Sequence, residues 1–130
     1  MNTKIILTSS AIFLGLTGLG LSFFPSEILN YLNIETSQVT TIFMQLLGAL
    51  YLGFGMLNWM AKGSIIGGIY NKPIAIGNLM HFGVGALALV KVVFGVQENT
   101  EIIIVLIVFY AIFAIAFAYI FMANPNKLAK

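Results

Sequence analysis

The side chains of this sequence that could bind a small molecule are few, and they interrupt long apolar runs. The candidates are five hydrogen-bonding residues: His81, Asn78, Asn58, Tyr51 and Gln45. The His81 side chain is the only one whose ordinary pKa lies near neutral, so it could carry a proton or hold an anionic or hydrogen-bonding headgroup. The alternative role is structural, with a neutral His81 joining two helices through one hydrogen bond. We favour the structural role.

Residue types that usually carry catalysis or bind metals are missing from this sequence. It has no cysteine, no arginine and no aspartate, and no carboxylate interrupts an apolar run. Thiol catalysis and thiolate metal sites are therefore excluded, and no pair of carboxylates is available for acid–base hydrolysis. We predict no catalytic residue, no metal site and no cofactor, with association with a quinone as the alternative.

The composition indicates which solvent surrounds the chain. Of its 130 residues, 60% are hydrophobic and 8% are charged, whereas an ordinary soluble domain has about 25% charged residues. Four runs reach the roughly 20 apolar residues that a helix needs to cross a bilayer. They extend over residues 5–24, 39–61, 73–95 and 102–122. The sequence therefore predicts a single all-α membrane domain over residues 1–130, an up-down bundle of four spanning helices with short connections.

The charged residues alternate in sign along the chain. Lysines occupy three segments outside the apolar runs: Lys4, Lys62, Lys72, Lys127 and Lys130. Glutamates occupy the two segments between them: Glu27, Glu35, Glu98 and Glu101. Because cytoplasmic loops retain lysine and arginine, we expect both termini in the cytoplasm. The lysine-only basic set and the abundance of Ile and Asn suggest a bacterial protein of the inner (cytoplasmic) membrane.

Residues near the span ends refine this topology. Lys91 departs from the alternation of charge. Its long side chain could reach the outer headgroups, and we favour this role over that of a substrate-binding lysine.

Pro25 follows the first run and can open a helical turn. Ile28, Leu29 and Leu32 then share one face. We expect a short amphipathic helix on the outer surface there. The first run exceeds the ~7–15 residue core of a secretion signal, so we expect it to be retained.

Small residues recur at helical spacing in three of the runs. The glycines among them are Gly15 and Gly18 in the first run, Gly48 and Gly55 in the second, and Gly85 in the third. Helices in lipid associate through close packing of small residues, so we expect these faces to meet, and we favour packing over a ligand groove. We also predict three contacts among polar residues: Asn58 with Asn78, His81 with Tyr51, and Gln45 with Lys91.

Three stretches in about the first half of the chain form a family-like pattern. They are Pro25 to Leu32, the run Gly48-Ala49-Leu50-Tyr51-Leu52-Gly53-Phe54-Gly55, and Asn58-Trp59. This pattern resembles the small bacterial four-helix membrane proteins of the DoxX-like type, which have a proline after the first helix and a glycine-rich second helix. Some such proteins are partners of quinone-linked redox enzymes or membrane accessory subunits, so the resemblance implies a supporting role. It assigns no functional residue.

Three functions are compatible with these features. The first is a non-catalytic accessory or structural protein that packs in the lipid bilayer against another membrane protein or against copies of itself. The second is a carrier of a small molecule or lipid, with a polar pocket around His81. The third is a redox partner that holds a quinone headgroup at His81. We rank them in this order, and the net charge of +2 without a basic stripe argues against a nucleic-acid partner.

Overall fold

The computed structural model describes residues 2–64, 72–95 and 99–122. These residues are folded into α-helices and their connections, with no β-strand among them. The helices are α1 (Thr3–Phe23), α2 (Pro25–Tyr31), α3 (Gln38–Ala61), α4 (Lys72–Val93) and α5 (Thr100–Met122). All except α2 are long and apolar enough to cross a membrane. The predicted all-α class with four candidate spans is therefore confirmed.

The connections on either side of α2 are built from turn-forming residues. Pro25 occupies the first turn of α2, where its missing N–H costs no helical hydrogen bond. After α2, Asn33 adopts a left-handed φ of 55°, which asparagine tolerates better than most residues. Ser37 then caps α3, because its Oγ accepts the Thr40 N–H at 3.1 Å and its own N–H donates to Thr40 Oγ1 at 2.8 Å. The structure thus has a short helix where the sequence predicts one.

The contacts within the chain group it into two compact units. The first unit, Leu7–Met60, contains most of α1 together with α2 and α3. The second unit consists of Met1–Ile6 and Ala61–Lys130 and contains α4 and α5. Close backbone contacts at glycines join α1 and α3 in the first unit, and aromatic rings pack between α4 and α5 in the second.

In the first unit, glycines bring the backbones of α1 and α3 into contact. A Cβ added at Gly18 would lie 2.9 Å from the carbonyl oxygen of Gly48, and one added at Gly48 would lie 2.8 Å from the backbone nitrogen of Ser22. A Cβ added at Gly55 would lie 3.1 Å from the nitrogen of Gly15. Any larger residue at Gly18 or Gly48 would force the helices apart. Since earlier residues of α1 meet later residues of α3, the two helices run antiparallel.

In the second unit, α4 and α5 pack around four rings that we call the aromatic core: Phe82, Tyr110, Phe113 and Phe117. The Phe82 centroid lies 4.9 Å from that of Phe113 and 5.9 Å from that of Phe117. A Cβ added at Gly85 would collide with the Tyr110 ring, lying 2.7 Å from its Cδ1. Gly85 therefore makes room for this ring, and the spacing of the three α5 aromatics places them on one helix face.

Large apolar side chains remain on the surface of every long helix. Each long helix has at least one large apolar side chain that is more than half exposed; examples are Leu16 on α1, Phe43 on α3, Leu87 on α4 and Ile115 on α5. Soluble monomers rarely expose apolar surface of this extent, whereas lipid tails solvate such side chains well. Together with the length and composition of the four helices, this exposure indicates a multi-pass membrane protein.

Candidate functional site

Asn58 is a fully buried polar residue of α3. Its Nδ2 donates a hydrogen bond to Oγ of Ser10 on α1 at 3.0 Å, and the Ser10 hydroxyl donates in turn to the carbonyl oxygen of Leu7 at 3.1 Å. An unsatisfied polar group in hydrocarbon is costly, so this chain of bonds stabilises the junction of α1 and α3. Ser10 is absent from the predicted set, because the consecutive hydroxyl residues Thr8, Ser9 and Ser10 do not show which of them faces a neighbouring helix.

Asn78 and His81 lie close together on α4. Asn78 is fully buried, and its Nδ2 donates to the carbonyl oxygen of Ile74, one turn earlier in the same helix, at 2.9 Å. The His81 ring lies beside the aromatic core, with its centroid 4.9 Å from that of Phe82 and 5.6 Å from that of Tyr110. The ring of His81 therefore takes part in aromatic packing, in addition to its capacity for hydrogen bonding.

The aromatic core itself is a feature that the predicted site lacks. Its signal in the sequence is the recurrence of Tyr110, Phe113 and Phe117 at intervals of three and four residues. That spacing shows a shared face, but it does not show that this face packs on α4 rather than in lipid. The prediction placed polar side chains around His81, whereas the structure places the rings of the aromatic core beside it.

The remaining predicted polar residues are more accessible. Tyr51 is half-buried on α3, and Gln45 is exposed. Gln45 lines a surface groove of about 510 Å³ near the start of α3, together with Gln38 and Thr41. Lys91 is exposed in the last turn of α4, a position from which its ammonium group could extend toward headgroups.

The predicted pairings of these polar residues each join one unit to the other. They are Asn58 with Asn78, His81 with Tyr51, and Gln45 with Lys91. These pairings stay predictions. The bonds of Asn58 and Asn78 given above lie within single units, so they neither require nor oppose the pairings.

The described residues offer hydrogen-bonding chemistry, rather than ionic chemistry, along the interior of the long helices. Charged side chains of the described ranges lie in connections, in α2 or in the first or last turn of a long helix: Lys4, Glu27, Glu35, Lys62, Lys72, Lys91 and Glu101. Over the same ranges, no three His, Cys, Asp or Glu side chains are grouped so that they could hold a metal ion. The polar groups left within the long helices include amides, hydroxyls and one imidazole, which can form hydrogen bonds to a neighbouring helix or to a ligand.

Comparison with known proteins identifies no relative of this chain. No protein-family model, no curated protein and no solved structure matches it. The DoxX-like resemblance of the first half therefore stays a prediction. The fold and the composition indicate the class, which is that of helical membrane proteins with several spans.

Proposed function

We propose that the protein is a non-catalytic accessory subunit of a bacterial cytoplasmic membrane. Its apolar outer helix surfaces pack against another membrane protein or against copies of itself. The observation that carries this proposal is the hydrogen bond from Asn58 to Ser10. Both residues are fully buried, so the most deeply buried amide of α3 serves to join two helices. That use of a polar group is typical of a scaffold, since interhelical hydrogen bonds hold helices together in lipid.

The surroundings of His81 support the same function. An accessory protein needs no acid, base or nucleophile, and the imidazole of His81 packs beside Phe82 and Tyr110. The carrier and quinone hypotheses both require a ligand to reach this imidazole. The composition of a purified sample therefore discriminates among the three hypotheses.

The accessory function can be tested by co-expressing differently tagged copies of the chain. The copies are extracted in polymer-bounded lipid discs, and the composition of the extracted complex is measured. We expect a complex of constant composition, either two or more copies of the 14.1 kDa chain or the chain with a second polypeptide. Copies mixed only after extraction are the control, because they report association that arises in the discs. A monomer that carries a stoichiometric small molecule or quinone would contradict the proposal and favour the carrier or the redox partner.

The proposed orientation places both termini in the cytoplasm, with the four spans running up and down in sequence. Among the described lysines, Lys4, Lys62 and Lys72 lie at the start of α1, just after α3 and at the start of α4. Glu27 and Glu35 lie in and after α2, between the first two spans. Three further charged residues on which the predicted orientation depends lie outside the described residues: Glu98, Lys127 and Lys130. The described charges support the orientation because lysine-rich segments stay on the cytoplasmic side.

Single-cysteine variants test this orientation without background, because the native chain has no cysteine. Glu35→Cys and Ser64→Cys place thiols at exposed positions in the connections before and after α3. A membrane-impermeant maleimide should modify Glu35→Cys in intact spheroplasts and modify Ser64→Cys only after permeabilisation. Glutamate contributes little to orientation, so the first substitution preserves the topology. Modification of Ser64→Cys in intact spheroplasts would reverse the assignment.

A further inference from the structure

An open groove runs between α1 and α3 in the first unit. Its volume is about 480 Å³, within the range of about 300–1,000 Å³ typical of small-molecule sites. The residues that line this α1–α3 groove are Ala11, Ile12, Gly15, Leu52, Gly55, Met56 and Trp59. We infer that this groove binds one acyl chain of a phospholipid. The inference rests on the placement of α1 and α3 in a membrane, and it does not depend on the accessory function.

The lining favours hydrocarbon over a polar ligand. It contains no charged side chain, no hydroxyl and no amide side chain, and its one polar side-chain group is the indole N–H of Trp59. A polar headgroup placed there would therefore lose most of its hydrogen bonds to water. Met56 is 61% exposed at the rim, and its flexible, polarisable thioether adapts to a chain of variable shape. A saturated or unsaturated hydrocarbon chain satisfies these surroundings.

Glycine creates the recess in which the chain would lie. A Cβ added at Gly55 would lie 3.2 Å from the carbonyl oxygen of Ala11, so α3 sits close to α1 at this level. At Gly15, by contrast, an added Cβ would meet no atom within 4 Å. The Cβ direction of Gly15 therefore points into open space, so this side of Gly15 forms the floor of the groove, while its backbone nitrogen takes part in the close contact with Gly55.

The position of the groove along the helices matches one leaflet. From Leu52 to Trp59 the groove covers about 10 Å at roughly 1.5 Å per residue, within the ~15 Å that is half of a bilayer core of ~30 Å. Trp59 lies near the end of α3, which ends at Ala61, and tryptophan favours the headgroup boundary. An acyl chain enters at that boundary and extends toward the midplane.

Trp59 is the only tryptophan of the chain, and it is therefore a reporter placed at the groove. Phosphatidylcholine with bromine atoms at mid-chain quenches tryptophan on contact. In dodecyl maltoside micelles, a titration with this lipid should give quenching that saturates at one lipid per chain and that does not change with detergent concentration. Lipid that only dilutes into the micelles would give quenching that rises without saturation and falls as detergent is added, and this result would overturn the inference.

Two substitutions that narrow the groove should remove the saturable quenching. Gly15→Leu fills the floor, and Met56→Phe narrows the groove from its exposed rim, where folding tolerates the change. Gly53→Leu is the matched control on the helix of Trp59, because an added Cβ at Gly53 also meets no atom within 4 Å and Gly53 does not line the groove. It should retain the saturable quenching. Equal quenching in Met56→Phe, Gly53→Leu and the native protein would overturn the inference.

Other outcomes of the same titration separate this inference from the earlier proposals. A discrete dimer that shields Trp59 and admits no brominated lipid would show that a second copy occupies the groove, and it would overturn the inference while supporting self-association. A chain that stays dispersed without detergent would remove the membrane placement itself. Failure of the accessory function alone would leave the saturable quenching unchanged.

Discussion

Replacing Gly48 with leucine is expected to lower the free energy of unfolding by about 3 kcal/mol, the upper part of the usual range for overpacking. The first added atom would lie 2.8 Å from the backbone nitrogen of Ser22 and 2.9 Å from the carbonyl oxygen of Gly18. Backbone atoms cannot rotate away as side chains can, so α1 and α3 would have to separate. Lipid supplies no hydrophobic force to bring them back together. Titration of detergent micelles with sodium dodecyl sulfate, followed by Trp59 fluorescence, measures the change.

Gly53→Leu is the matched control for this prediction. It makes the same chemical change in the same helix, but an added Cβ at Gly53 meets no atom within 4 Å. Both variants gain the same helix propensity, so the difference between them isolates the steric conflict. Unfolding of the two variants at the same fraction of sodium dodecyl sulfate would show that the α1–α3 contact does not determine the stability of the bundle.

Replacing Phe82 with alanine should destabilise the fold by about 3 kcal/mol, the lower end of the range for Phe→Ala in a packed core. Phe82 is fully buried, and its ring lies against those of Tyr110 and Phe113 with centroids 5.3 and 4.9 Å away. The loss arises from packing contacts and a cavity, because the surroundings of a membrane protein are already apolar. Near-ultraviolet circular dichroism during thermal unfolding reports it, since the tyrosine of the aromatic core contributes to that signal.

Phe94→Ala provides the comparison for the Phe82 prediction. Phe94 follows the end of α4 and is 87% exposed, so the same truncation there leaves no cavity. Its unfolding midpoint should stay close to that of the native protein. If the two alanine variants unfold together, the aromatic core is not a main source of stability, and the packing of α4 on α5 must depend on other contacts.

The number of long helices could be predicted because hydrocarbon imposes a length on any helix that crosses it. Runs of roughly 20 apolar residues meet that requirement, and α1, α3, α4 and α5 occupy the four runs. The short helix α2 follows from one residue, Pro25, whose fixed φ suits a first helical turn. The left-handed residues Asn33 and Asn99 had a weaker signal, because asparagine tolerates this conformation better than most residues but also occurs in many others.

The partners of the polar residues could not be predicted in the same way. Helical spacing shows which side chains share a face, but it carries no information about the residue opposite. Asn58 bonds to Ser10, a residue with no distinctive spacing, and Asn78 bonds to Ile74 of its own helix. His81 is easy to single out because it is the only histidine in the sequence. Which α5 aromatic residues lie beside it, however, depends on how α5 is rotated against α4.

The sequence by itself determined the apolar character and the lengths of the candidate spans, because these depend only on local composition and on the thickness of a bilayer. The side of each charged connection stays a prediction. The tertiary structure alone decided which glycine is a contact and which is an opening. A Cβ added at Gly48 would meet the backbone of α1, whereas one added at Gly15 would point into the α1–α3 groove. Glycine has no side chain to signal its surroundings, so its role is set by the distance of the neighbouring helix.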